Sequence, residues 1–266
     1  MDRGVVHRTC VMLLFLTLLV LVSARTINTS SAISASATVT TGLEKGLVIS
    51  ANVILKGLPC PSFSELKAAN FTLVGTIVYS WFGDWEWKKI GEWINAARSG
   101  GFSVFVNFWA EPKTAMTWIK RLVSMGVDVI VWDEPISRYN VAQSQLLSVI
   151  KAGLKAKASL LFVINEYQSA NISTLYKWTA PYPSVRIATD SYSDKTVIDL
   201  GINLALKYGK TPLSWLIFCV DEMEFPCYKA LSEWISYVKA RNLGALFWLV
   251  DSAGTWQAQW QQVAGF

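Results

Sequence analysis

Between Gly46 and the C-terminus, short β-branched or aromatic runs alternate eight times with segments of helical period. The predicted strands are Gly46–Val53, Leu73–Trp81, Ser103–Trp109, Asp128–Asp133, Leu160–Glu166, Val185–Asp190, Trp215–Asp221 and Ala245–Val250. Most are continuously apolar, as in parallel strands covered on both faces. The segments between them are amphipathic: Trp87, Ile90, Ile94 and Ala97 recur at helical spacing within Trp87–Ser99. Lys113–Met125, Val141–Ala158, Asp194–Tyr208 and Pro226–Arg241 behave alike, Ser62–Ala69 and Thr255–Val263 supply the first and last helices, and Ile172–Trp178 is a short one after strand five.

Eight strand–helix repeats in a chain of 266 residues predict a single closed (β/α)₈ TIM barrel over residues 46–266. The competing architecture is a doubly wound open sheet, which ordinarily carries a glycine-rich phosphate turn after strand one. Here that turn is Lys56-Gly57-Leu58-Pro59-Cys60, and the chain contains no Walker-type loop.

The N-terminus reads differently. Arg3 and Arg8 precede an apolar run from Cys10 to Val22, and Val22-Ser23-Ala24 offers small residues for cleavage. That order is the pattern of a secretory signal peptide over residues 1–24. The run is shorter than the about 20 residues of a bilayer span, so the chain is expected to be secreted, with anchoring at the outer membrane face only if the segment is uncleaved. Residues 25–45 are mostly Ser, Thr and Ala and are expected to form a linker or stalk. Asn28, Asn70 and Asn171 each begin a glycosylation sequon. Export makes Cys60, Cys219 and Cys227 of interest. Cys219 reads as a buried apolar residue, while Cys60 and Cys227 either pair or remain thiols.

Composition narrows the chemistry. The single histidine, His7, lies in the segment read as removed. A mature chain without histidine cannot run Ser-His-Asp or Cys-His catalysis, nor build a His-ligated metal site. The net charge of +5, with no block of five like charges, gives no argument for nucleic acid as a partner.

In a barrel of this kind, chemistry belongs at the C-terminal ends of the strands. Seven of the eight ends carry acids: Asp84, Glu111, Asp133-Glu134, Glu166, Asp190, Asp221-Glu222 and Asp251. Crowded carboxylates repel one another and shift their pKa values, which marks a candidate site; the plainer explanation is that acids there cap the helices that follow. Thirteen tryptophans are many for this length. Trp81, Trp109, Trp132 and Trp248 fall near strand ends, where flat aromatic faces can stack on sugar rings; Trp93, Trp118 and Trp234 read as packing.

The barrel pattern, Glu134-Pro135 after strand four and an acid after strand seven resemble the large clan of retaining (β/α)₈ glycoside hydrolases. The resemblance implies Glu134 as general acid/base, Glu222 as nucleophile, Tyr192 contacting that nucleophile and Trp248 flooring the sugar site, with no cofactor and no metal. Asp133 stands where the clan has Asn, and the clan's Arg on strand two and active-site histidines have no counterpart.

The expected function is therefore hydrolysis of an O-glycosidic bond in a polysaccharide or glycan. Asp133, Glu166 and Asp221 are alternate acids, and Trp81, Trp109, Trp132, Asp190, Tyr192, Trp248 and Asp251 are candidate carbohydrate-binding residues. A retaining mechanism requires carboxyls about 5–5.5 Å apart, and an inverting one about 6.5–9.5 Å. Two other readings stay open: a non-catalytic exported glycan-binding barrel, and a barrel whose acids hold a hard cation such as Mg²⁺. The oligomeric state is not encoded in any motif.

Overall fold

The computed structural model describes residues 45–190, 195–217, 231–250 and 257–266. Eight parallel strands follow one another around a closed barrel: β1 (Lys45–Ile49), β2 (Leu73–Val78), β3 (Ser103–Phe108), β4 (Val129–Asp133), β5 (Leu161–Glu166), β6 (Val185–Asp190), β7 (Leu213–Ile217) and β8 (Gly244–Val250). β8 returns to β1, pairing Leu47 with Phe247 and Val48 with Trp248. The open-sheet alternative is thereby excluded.

The helices are α1 (Ala51–Lys56), α2 (Phe63–Ala68), α3 (Asp84–Ser99), α4 (Pro112–Ser124), α5 (Pro135–Tyr139), α6 (Gln143–Ala156), α7 (Ser169–Thr179), α8 (Lys195–Lys207), α9 (Leu231–Ala240) and α10 (Gln257–Ala264). Two differ from expectation. Strand one was predicted to run to Val53, but α1 begins at Ala51, because the β-branched residues Val53 and Ile54 look like strand in isolation and pack as helix here. The five-residue α5 is too short to display a period, and the sequence reading left it out.

The two faces of each strand enter different apolar layers. Val104, Val106, Phe108, Ile130, Trp132, Phe162 and Ile164 point outward and join the helices in the larger core. Val48, Ile77, Phe105, Val131, Val163 and Leu246 point inward and fill the barrel. Each such side chain contributes roughly 1.5–3 kcal/mol by leaving water. Interior space is tight: a Cβ added at Gly75 would lie 2.4 Å from the Phe105 ring, so β2 must carry glycine where β3 carries phenylalanine.

Two buried lysines tie elements together. Lys45 Nζ donates to the carbonyls of Ala69 (2.7 Å) and Ala264 (2.8 Å) and stands over the Phe71 ring, joining α10 to the start of β1. Lys210 Nζ donates to the carbonyls of Thr179 (3.1 Å), Tyr182 (2.6 Å) and Val185 (2.8 Å), gathering the turn between α7 and β6. Burial lowers both ammonium groups to about 8. Cys60 is half-buried and makes no disulfide among the described residues; burial, and then Glu65, push the thiol pKa up. Cys219 and Cys227 lie outside the described residues, as do the signal and stalk segments. Among the described residues, no helix is long and apolar enough to cross a membrane.

Candidate active site

Three neighbouring strands build the polar floor of the barrel mouth. Asn107 on β3, Asp133 on β4 and Asn165 on β5 all face inward, one layer above the apolar filling, and all are buried. Asn107 Nδ2 donates to Asp133 Oδ2 at 3.0 Å, and Asn165 Nδ2 donates to Oδ1 at 2.6 Å. Both carboxyl oxygens are thus held by amides. Burial nevertheless pushes the Asp133 pKa up to about 7; the two amide bonds oppose that rise, adjacent Glu134 adds to it, and Arg138 opposes it. Asn107 Oδ1 is buried with no hydrogen-bond partner among the described residues, an acceptor in reserve at the base of the mouth.

Glu134 stands at the next step. Its backbone is left-handed (φ 47°, ψ 45°), where the other non-glycine residues of positive φ among the described residues are Asn70, Asn140 and Asn242. Asparagine tolerates that region; a glutamate before proline does so at a cost of about 1–3 kcal/mol. The conformation is held in place by its neighbours. Glu134 N–H donates to Asn165 O (2.9 Å), Arg138 N–H donates to Glu134 O (2.9 Å), and Arg138 Nε and Nη2 both donate to Glu134 Oε2 at 3.2 and 3.0 Å. Strain of this sort concentrates at functional sites.

Beside the acids runs an aromatic ledge from β2, β3 and β8. Tyr79 stacks on Trp81 (centroids 5.7 Å apart, 9° between planes), Tyr79 leans on Trp109 (6.1 Å), and Trp109 leans on Trp248 (6.2 Å). Burial raises the Tyr79 pKa, and its hydrogen bond with Ser50 offsets part of that rise. Trp81 is 55% exposed, and Trp85, in the first turn of α3, is 54% exposed; both offer open ring faces at the rim. Arg138 connects ledge to acids, its guanidinium lying 5.3 Å over the Trp109 ring. Trp109 Nε1 is buried without a partner among the described residues.

The structure thus brings together Asp133, Glu134, Trp81, Trp109 and Trp248 from the residues singled out by sequence. Two others must be corrected. Trp132 is fully buried and faces the helices, with Nε1 donating to Ala110 O at 2.9 Å, so it is core and no sugar platform. Glu166 is no rival acid. It alternates with inward-facing Asn165 and is fully buried outside the barrel, where its carboxylate accepts from Ser137 N (3.2 Å), Ser137 Oγ and Tyr167 N (3.2 Å). Its work is to clamp the start of α5, and Asn171 Nδ2 completes that clamp by donating to Ser137 Oγ at 2.9 Å.

Two of the remaining strand-end acids serve helix starts, as the plainer explanation required. Asp84 opens α3, and Glu111 is the N-cap residue of α4, where a negative charge meets the helix dipole. Asp190 ends β6 in register with Trp215. Tyr192, Asp221, Glu222 and Asp251 lie outside the described residues. Sequence reading passed over Tyr79, Asn107 and Arg138. Asn107 had a signal, as a polar residue in the otherwise apolar run Val104–Phe108; Arg138 had one too, four residues after Glu134. Among the described residues no group of three or more His, Cys, Asp or Glu is arranged to hold a metal ion.

No known family model and no curated protein sequence matches this chain. Solved structures do resemble it. An O-GlcNAc hydrolase from Thermobaculum terrenum superposes with a TM-score of 0.54 at 10% identity, over 84% of this chain and 63% of that one. An endoglucanase from Clostridium longisporum gives 0.52 at 10% identity, over 77% and 86%. Fungal β-1,4-galactanases give 0.50 at 13% identity, over 78% and 89%. Barrels with other activities, a citrate synthase and a mandelate racemase/muconate lactonizing enzyme, superpose equally well. At such identities the likeness establishes the barrel fold, which glycoside hydrolases share with other enzymes.

Proposed function

We propose that this chain is an exported glycoside hydrolase, cleaving an O-glycosidic bond in a glycan with two carboxyl groups and no cofactor. Residues 1–24 act as the secretory signal and 25–44 as the stalk, since Lys45 already belongs to the barrel. The observation that carries the reading is the strained Asp133-Glu134-Pro135 corner at the end of β4, set against the aromatic ledge of Trp81, Tyr79, Trp109 and Trp248. Aromatic faces stack on the C–H faces of sugars, while carboxyls and amides bond the hydroxyls.

In this mechanism the Glu222 carboxylate attacks the anomeric carbon as the bond to the leaving oxygen breaks, and Glu134 gives that oxygen its proton. Glu134 then takes a proton from water. The water oxygen attacks the same carbon and releases Glu222. Asp221 takes the nucleophile's part if the end of strand seven is one residue earlier. Asp133, held by Asn107 and Asn165, forms the polar floor beneath the reacting sugar.

The test is hydrolysis of a panel of polysaccharides and aryl glycosides by wild type, Glu134→Gln and Glu222→Gln, with and without EDTA. Loss in both variants, indifferent to EDTA, is the expected result. Cleavage abolished by EDTA would point to a metal-dependent barrel. Retention on glycan columns without cleavage would make the chain a binding barrel.

A further inference from the structure

Arg138 sits in the barrel mouth in a way that a surface ion pair does not require. An exposed Glu–Arg pair one helical turn apart is worth only a few tenths of a kcal/mol. Here the arginine is 50% exposed on its side chain while Glu134 is only 14% exposed, and Glu134 carries a strained backbone. The guanidinium also lies over Trp109, on the ledge itself.

The pairing is geometrically incomplete. Both N–H groups that Arg138 spends on Glu134 converge on one oxygen, Oε2, rather than matching the two oxygens of a carboxylate in parallel. Nη1 has no hydrogen-bond partner among the described residues. The buried N–H of Trp109 on the same ledge is a further donor without a partner among the described residues. A neutral sugar hydroxyl both donates and accepts. The planar fork of a guanidinium matches the two oxygens of a carboxylate, a group that only accepts, and here that fork is left unmatched.

We infer that the glycan taken up at this site is anionic, a hexuronate polymer, and that Arg138 selects it by exchanging Glu134 for the carboxylate of the substrate. The inference rests on the carbohydrate reading above and adds to it the substrate class and a specificity-determining residue. The exchange has two consequences. It frees Glu134 Oε2, which Arg138 otherwise occupies, to face the leaving oxygen. It also draws the guanidinium off the Trp109 ring and opens that face to a sugar. A neutral glycan could do neither, so discrimination and activation come from one movement.

The experiment compares matched ligands by titration calorimetry on the whole chain. Trimers of galacturonate, glucuronate and mannuronate are each paired with the same trimer after carboxyl reduction, so that the members differ only in charge. Wild type is expected to bind at least one uronate trimer about tenfold or more tightly than its reduced partner. Arg138→Gln is expected to bring the pair to within about twofold, and Arg138→Lys to fall between, since it keeps the charge but not the fork. Thermal melts confirm that each variant is folded. Wild type that binds both members of every pair equally overturns the inference and leaves the carbohydrate reading standing. An Arg138→Gln variant that keeps the uronate preference overturns the role of Arg138. Wild type that binds no member of any pair overturns both readings.

Discussion

Asp133 and Asn165 face each other across the β4–β5 ladder, and the 2.6 Å bond from the Asn165 amide to Asp133 Oδ1 closes the polar floor on one side as Asn107 closes it on the other. The acid is fully enclosed, and its proton affinity follows from that enclosure more than from its partners. Burial lifts the pKa from the usual 3.8 to about 7.

That shift sets a dependence of stability on pH. Between about pH 4 and 7 the folded state holds a proton on Asp133 that the unfolded chain has released, so stability falls as pH rises through this window. Below it the term vanishes, and above pH 7 the cost of a buried carboxylate is fully present. Asp133→Asn removes the cost, and the free Asn107 Oδ1 can accept from the introduced amide. The variant is expected to gain about 2 kcal/mol relative to wild type at pH 8, with the gain disappearing near pH 4. Urea denaturation at pH 4, 6 and 8 measures it; a difference independent of pH would contradict the assignment.

Glu134 and Glu166 are both acids at strand ends, yet their substitutions should part cleanly. Glu134→Gln is expected to lower kcat on a glycan substrate about 10²–10⁴-fold while leaving the fold intact. Glu166→Ala is expected to cost about 3 kcal/mol of stability, because it strands the Ser137 N–H and hydroxyl. Its kcat per folded molecule should stay within about threefold of wild type, since the carboxyl touches no part of the mouth. Combined melting and kinetic assays of the two variants decide the point.

Tryptophans 81 and 132 make a similar contrast. Trp132→Ala empties a fully buried site and loses the bond to Ala110 O, for a cost of about 3–5 kcal/mol. Trp81→Ala removes a rim residue that is 55% exposed, so stability should change by less than about 1 kcal/mol while glycan affinity falls. Denaturation midpoints together with affinity electrophoresis in glycan gels distinguish these outcomes. A Trp81→Ala variant with unchanged mobility would remove that ring from the sugar surface.

Lys210 makes a purely structural prediction. Lys210→Met keeps the length of the side chain and removes the ammonium group from three carbonyls, leaving them without that donor. A loss of about 2–3 kcal/mol is expected. Hydrogen exchange should locate the loosening in the turn between α7 and β6; uniform exchange across the barrel would show that the lysine supports the whole fold instead.

The barrel itself was legible in the amino-acid sequence. Strands covered on both faces must be apolar throughout, helices covered on one face must be apolar every third or fourth residue, and the alternation of these two patterns eight times admits few closed architectures. The β4 corner also stands out in the sequence, because two acids before a proline at a strand end are costly to keep there. The direction in which each side chain points was not legible. A continuously apolar strand such as Val129–Trp132 carries no alternation to mark its inner face, and a shift of one residue exchanges the two faces. Only the closed tertiary structure, by fixing the register of β3, β4 and β5, turned Trp132 and Glu166 outward into the helix layer and Asn107, Asp133 and Asn165 inward to the mouth. The left-handed backbone of Glu134, and the seating of Arg138 between it and Trp109, followed from that register. They depend on contacts between strands far apart in the chain, which no local pattern records.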